Sequence, residues 1–233
     1  MDLDILFFGA HPDDVELACG GTIIKSVQLG NKVGIIDLTR GELGTRGTVQ
    51  LRDSETKIAN KIMGVDIREN MNFEDGFFSN DDTHKIKIVK KIREYRPKIV
   101  VANAISDRHP DHARAAQIII DACFLSGLDK VDTGQLSWRP NNIYHYIQFN
   151  HIEPDFVVDI TDQIEDKIKA VKAYKSQFYN PSSTEKETII SSLEFLESIT
   201  YRAKDLGRQS GCKYAEGFTT NQLIRIDSLF DFK

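Results

Sequence analysis

The chain has 233 residues, a formal net charge of −5, 40% hydrophobic and 28% charged residues, which are ordinary values for a globular protein with one large core. This composition excludes a disordered or fibrous chain and argues against a nucleic-acid partner, which would call for a basic face. Met1-Asp2-Leu3-Asp4 has neither the basic start of a secretory signal nor the roughly 20 apolar residues of a membrane span. The expectation is one domain over 1–233, cytoplasmic, with no membrane partner. Cys19, Cys123 and Cys212 stand singly, without CxxC spacing, so they are expected to be reduced and mostly buried.

Asp4–Gly9 reads as a buried strand, and Val15–Leu29 carries helical spacing that stops at Gly30-Asn31. Lys32–Thr39 is a second strand, Gln50–Met63 a helix ended by Gly64, and Val65–Phe73 a weaker third strand. After the polar Asn80-Asp-Asp-Thr83, His84–Tyr95 is an amphipathic basic helix, and Pro97 separates it from the strand Lys98–Asn103. A helix over Asp111–Leu125 follows. This alternation predicts an α/β, Rossmann-like, mostly parallel sheet with helices on both faces and its ligand site beyond the C-terminal ends of the strands. From Leu128 the rhythm changes, with strands at Asn142–Gln148 and Phe156–Ile160, then helices near Asp162–Lys175 and Ser183–Leu206. No linker marks this part as a separate domain.

Two clusters sit at strand exits. Ala10-His11-Pro12-Asp13-Asp14-Val15-Glu16 leaves the first strand, and Asp107-Arg108-His109-Pro110-Asp111-His112 leaves Lys98–Asn103. One helix cap needs one carboxylate, so two adjacent acids beside a histidine exceed a capping role. Histidine and carboxylate ligands suit zinc, whose catalytic sites keep three protein ligands and an open position. Each motif offers ligands at i and i+3, and two such clusters at one sheet edge point to a metal site.

Thr39–Thr48, Thr-Arg-Gly-Glu-Leu-Gly-Thr-Arg-Gly-Thr, has three glycines but neither dinucleotide nor P-loop spacing. A flexible loop and a substrate-lining loop are equally open readings, with Glu42 as its substrate-facing candidate and Arg52 on the next helix. His84, His145 and His151 lack partners at ligand spacing and are read as structural or surface residues. For Lys213-Tyr214 with Glu216-Gly217-Phe218, an ordinary turn is favoured over a substrate wall.

AHPDDVE, RGELGTRGT followed by Arg52, HPDH and the late KYAEGF together resemble the PIG-L (LmbE-like) deacetylases over residues 5 to about 218. Tyr174–Phe178 resembles the bacillithiol-biosynthesis branch, which acts on N-acetylglucosaminyl malate. The resemblance implies Zn2+, with Fe2+ also acceptable to such ligands, held by His11, Asp14 and His112. It implies Asp13 as general base, His109 as the group that stabilises the oxyanion or protonates the amine, and Asp111 as the residue orienting His109. It further implies a homo-oligomer, commonly a hexamer. Arg52 and Arg108 are expected to bind the malate carboxylates. The competing readings are deacetylation of another N-acetylglucosamine compound such as a chito-oligosaccharide, and a non-catalytic nucleotide- or sugar-binding domain.

Overall fold

The computed structural model describes residues 1–231. In chain order the elements are β1 Ile5–Gly9, α1 Asp14–Gln28, β2 Val33–Thr39, α2 Val49–Met63, β3 Ile67–Phe73, α3 Asp82–Tyr95, β4 Ile99–Ala102 and α4 Pro110–Ser126. They continue with β5 Asn142–Tyr146, β6 Phe156–Asp159, α5 Ile164–Ala173, α6 Leu193–Ser210 and β7 Ala215–Thr219. The seven strands form one sheet in the order β3-β2-β1-β4-β5-β7-β6. The first five in this order run parallel to one another, and β7 runs antiparallel between β5 and β6. The expected α/β, mostly parallel architecture is therefore present.

Strand alternation divides the core. On β1, Phe7 packs with Val15, Ile23 and Phe178 on one face, whereas Leu6 and Phe8 pack with Ile88, Ile92 and Ile118 on the other. Both faces of β1 are buried, so its run of apolar residues lacks the polar alternation of a solvent-facing strand. No helix among the described residues is long and apolar enough to cross a membrane.

The chain order fixes where a site can form. From β1 the chain winds outward through β2 to β3, then crosses back to lay β4 on the other side of β1. The loops leaving β1 and β4 therefore diverge from adjacent strands, opening the crevice in which sheets of this kind bind ligands.

Two expectations are corrected. Ser183–Leu206 is not one helix: a short 3-10 turn, Ile189–Ser191, precedes α6. The helix starts where the Ser192 hydroxyl accepts from the Phe195 amide at 3.1 Å, and stops at Gly211, whose φ of 79° few other residues adopt. The segment at Ala215–Thr219 is not a turn but the strand between β5 and β6. Ala-Glu-Gly-Phe-Thr has no apolar run to announce a strand, and its buried Glu216 is stabilised by Lys167, distant in sequence. Cys19 and Cys123 are buried, Cys212 is partly so, and all three are free.

Phe7 is fully buried under α1. Phe7→Ala is expected to cost about 3–5 kcal/mol in urea unfolding, the range for a large-to-small core change. A loss under about 1 kcal/mol would contradict this packing.

Candidate active site

β1 ends at Gly9, and the chain turns through His11-Pro12 into α1. Asp13 adopts φ 111° there, a backbone conformation unfavourable for a residue with a side chain. Such strain, about 1–3 kcal/mol, persists where the surroundings over-determine it, commonly at functional sites. The Asp13 carboxylate makes no helix cap; it meets the Arg52 guanidinium at 2.5 Å. Burial pushes its pKa up to about 6 against the opposing effect of Arg52. The capping explanation for this acid is thereby removed.

Asp14 turns the other way and is fully enclosed. Its carboxylate accepts from the His11 amide at 2.9 Å, from Asn103 Nδ2 at 3.0 Å and from Gln148 Nε2 at 2.5 Å. It stands 3.6 Å from His11 Nδ1 and 3.2 Å from His112 Nε2. Burial opposes ionisation, but His112 and His11 outweigh it and hold Asp14 well below the usual carboxylate range.

Each flanking imidazole has its remote nitrogen engaged by a carboxylate. His112 Nδ1 lies 2.7 Å from Asp107, and His11 Nε2 lies 2.9 Å from Asp75 and 3.3 Å from Asp111. Ligating histidines are commonly fixed by such outer carboxylates, which select the tautomer and raise ligand basicity. Burial lowers the pKa of His112, yet Asp14 and Asp107 overcome it and raise it to about 9. His11 is likewise raised, by Asp111, Asp14 and Asp75 against burial. Two imidazoles set among four carboxylates form a donor set that a divalent cation fits. His11 Nδ1, Asp14 and His112 Nε2 could together hold such an ion, as two imidazoles and one carboxylate do in catalytic sites. Among the described residues, the trios whose ligand atoms all lie within 4.8 Å of one another are His11, His109 and His112, and His11, Asp75 and Asp111; Asp14 joins His11 and His112 through the pair distances given above. In the second trio the two acids meet the His11 Nε2, and in the first His109 uses Nδ1 for the Asp111 amide, which leaves its Nε2 toward the cluster.

That bond is the start of α4. His109 is the N-cap residue and Pro110 fills the first helical position, where its missing N–H is no loss. The His109 Nδ1 accepts from the Asp111 amide at 3.3 Å, which places the ring proton on Nε2. Burial, then the neighbouring His11 and His112, lower the His109 pKa. Asp111 was expected to orient His109, but only its amide does so. Its carboxylate accepts from the Gly76 amide at 2.8 Å, pairs with Arg114 and faces His11.

His11, Asp13, Asp14, His109 and His112 line a cavity of about 440 Å³ with Leu17, Phe149, Phe178, Phe195, Ile189 and Ile190. Arg108 reaches its mouth, its guanidinium 4.8 Å above the Phe149 ring. Of the other substrate candidates, Arg52 lines the cavity but is already paired, and Glu42 lies outside it. Arg52 is no free rim cation, because its side chain is buried against Asp13 and the Gly41 carbonyl at 3.3 Å. Glu42 is exposed and outside the cavity lining; its carboxylate accepts the Asp75 amide at 2.7 Å. Sequence reasoning gave no role to Asp75, Asn103, Asp107 or Gln148. Of these, Asp75 and Asp107 follow strand ends, as the motif acids do, and that position was the available signal. His145 is buried with Nδ1 2.9 Å from the Asn103 carbonyl, His84 pairs with Asp81, and His151 is exposed.

A doubly wound sheet with a histidine–carboxylate cluster at its switch point is the kind of site that can hold a metal ion for catalysis. The family model described as PIG-L, GlcNAc-PI de-N-acetylase, matches residues 6–123. The chain belongs to the PIG-L family, and like the family's deacetylases it is a hydrolytic enzyme. It is 31% identical over 226 residues to the diacetylchitobiose deacetylase of Thermococcus kodakarensis, covering 91% of this chain and 81% of that protein. It is 25% identical over 190 residues to a probable N-acetyl-alpha-D-glucosaminyl L-malate deacetylase 2 of Bacillus anthracis, covering 75% and 81%. Among solved structures, a conserved protein of Thermus thermophilus superposes with a TM-score of 0.88 at 33% identity, covering 97% of this chain and 98% of that one.

Asp107→Asn is expected to weaken metal binding about 10–100-fold, the usual effect of removing a ligand's outer carboxylate, with the fold intact. Competition titration against a chelator measures it. Unchanged affinity would show that His112 needs no such support.

Proposed function

We propose that the chain hydrolyses the acetamide of an N-acetylglucosamine glycoside, releasing acetate and the free amine. The observation that carries this reading is the separation of two adjacent aspartates. Asp14 is committed to the histidine pair, while Asp13, strained and uncapping, is held by Arg52 beside the same cavity. Zinc is the metal proposed for His11, Asp14 and His112, with iron(II) accepted by the same N/O donors. When bound, the ion would polarise the acetamide carbonyl and acidify water at neutral pH.

The remaining steps fall to the chain. Asp13 takes the proton from the attacking water, and its raised pKa suits a base that must later return that proton. Arg52 keeps the carboxylate ionised and fixes its direction. His109, with its proton on Nε2, donates to the oxygen that gains charge as the carbonyl is attacked. The departing nitrogen needs a proton, which Asp13 supplies through the cavity. Phe149, Phe178, Ile189 and Ile190 give the sugar an apolar wall and exclude water.

For the aglycone, the 31% identity and broad coverage support a chito-disaccharide, ahead of the malate glycoside that the sequence motifs first favoured. One observation keeps the malate reading: Arg108 stands at the mouth, braced on Phe149, and a guanidinium there suits a carboxylate. Acetate release from diacetylchitobiose, N-acetylglucosaminyl malate and free N-acetylglucosamine, with zinc present, separates these cases. Diacetylchitobiose is expected to have the highest kcat/KM. A higher value for the malate compound, lost on Arg108→Ala through KM, would reverse the aglycone assignment, and no acetate from any of the three would end the deacetylase reading.

The two aspartates give a second test. Asp13→Asn is expected to retain near-stoichiometric zinc while kcat falls about 10²–10⁴-fold, the usual loss on removing a general base. Asp14→Asn is expected to lose metal first. A metal-free Asp13→Asn beside a metal-loaded Asp14→Asn would exchange their roles.

A further inference from the structure

Helix α1 is not continuous. Cys19 has φ −137° and ψ 22°, outside helical values, so Asp14–Ala18 and Gly20–Gln28 are two segments meeting at a break. A break frees amides on its C-terminal side and carbonyls on its N-terminal side, and buried groups of this kind need partners. Here the partners come from two distant elements. Glu216 on β7 accepts the Gly21 amide at 3.0 Å, the Thr22 amide at 2.7 Å and the Thr22 hydroxyl at 2.6 Å. Lys167 on α5 donates to the Ala18 carbonyl at 3.3 Å and to Glu216 at 2.5 Å. Both side chains are almost wholly buried, at 3% and 2% exposure. The carboxylate thus caps the second segment from outside and the ammonium ends the first, each charge facing the helix terminus that favours it.

We propose that Lys167 and Glu216 are positioning residues: together they set the angle of the break at Cys19 and thereby hold the Asp13–Asp14 turn at the distance from His112 that the metal site requires. This inference rests on the assignment of His11, Asp14 and His112 as that site. The Gly20-Gly21 pair permits the bend, as glycines at helix kinks do, but leaves its angle undetermined. Packing closes one of these positions further, because a Cβ on Gly21 would lie 2.8 Å from Ile160. The break lies five residues after Asp14, roughly 7–8 Å of helix at 1.5 Å per residue. Redirecting that segment by about 10° therefore moves the Asp14 carboxylate by about 1 Å. A misplacement of about 1 Å at reacting groups can cost about 10²-fold in rate.

Full-length Glu216→Gln and the double variant Lys167→Met/Glu216→Leu test this, the second because apolar side chains of similar volume commonly preserve a fold when they replace a buried ion pair. The reference is Ile88→Ala, a core change on the opposite face of the sheet. Zinc affinity is read by chelator competition, folding by urea unfolding, and kcat and KM by acetate release. Both variants are expected to stay folded, to bind zinc at least 10-fold more weakly, and at saturating zinc to lose about 10–100-fold in kcat with KM within twofold. Ile88→Ala, though destabilised, should keep the wild-type zinc affinity and kcat. The proposal is overturned if the double variant folds and binds zinc like the wild type, or if Ile88→Ala loses affinity to the same extent. If the wild type deacetylates none of the compounds, the zinc affinities still decide the matter, so failure of the substrate assignment is distinguishable from failure of this one.

Discussion

One enclosed carboxylate, Asp14, is where the exits of three strands meet. It begins the helix after β1, receives Asn103 from the end of β4 and Gln148 from just beyond β5, and lies beside His112 on α4. A buried charge without partners costs several kcal/mol, so these donors cannot be arranged at will. The register that pairs β1 with β4, and β4 with β5, decides whether they arrive together. The site is thus a consequence of the sheet's strand order as much as of its motifs.

Around that point the charges form a closed pattern. Four acids, Asp14, Asp75, Asp107 and Asp111, surround two imidazoles. Farther along α1, Arg68 pairs with Glu16 and holds Asp37 at 2.9 Å, and the Tyr174 hydroxyl donates to Glu16 at 2.9 Å. These pairs are buried, and water screens them little. By contrast the Lys169–Asp166 and Arg208–Asp205 pairs are exposed, where solvent and salt screen them and their contribution is small. Position, more than the number of ion pairs, decides which charges matter here.

Much of this was legible in the sequence. Apolar runs separated by amphipathic helices expose the order of β1 to α4, and HPDD and HPDH mark two strand exits because four unusual residues crowd each one. What was hidden shares a physical cause: it depends on contacts between residues far apart in the chain. Arg52 looks like a solvated rim cation until α2 packs it against Asp13, and Asp111 looks like a partner for His109 until its carboxylate is seen facing His11. Glu216 gives no sign of being a cap, because the Gly21 amide it accepts lies 195 residues earlier. Periodicity likewise conceals the break at Cys19, since residues on both sides of it remain buried.

We propose that His11 Nδ1, Asp14 and His112 Nε2 form one metal site, with the remote nitrogens of both imidazoles fixed by carboxylates. Anomalous diffraction from zinc-loaded crystals at the zinc edge tests it most directly. A single peak per chain contacting those three side chains is the predicted result. A peak held instead by His109 or by Asp75 and Asp111, or no peak in crystals grown with excess zinc, would contradict it.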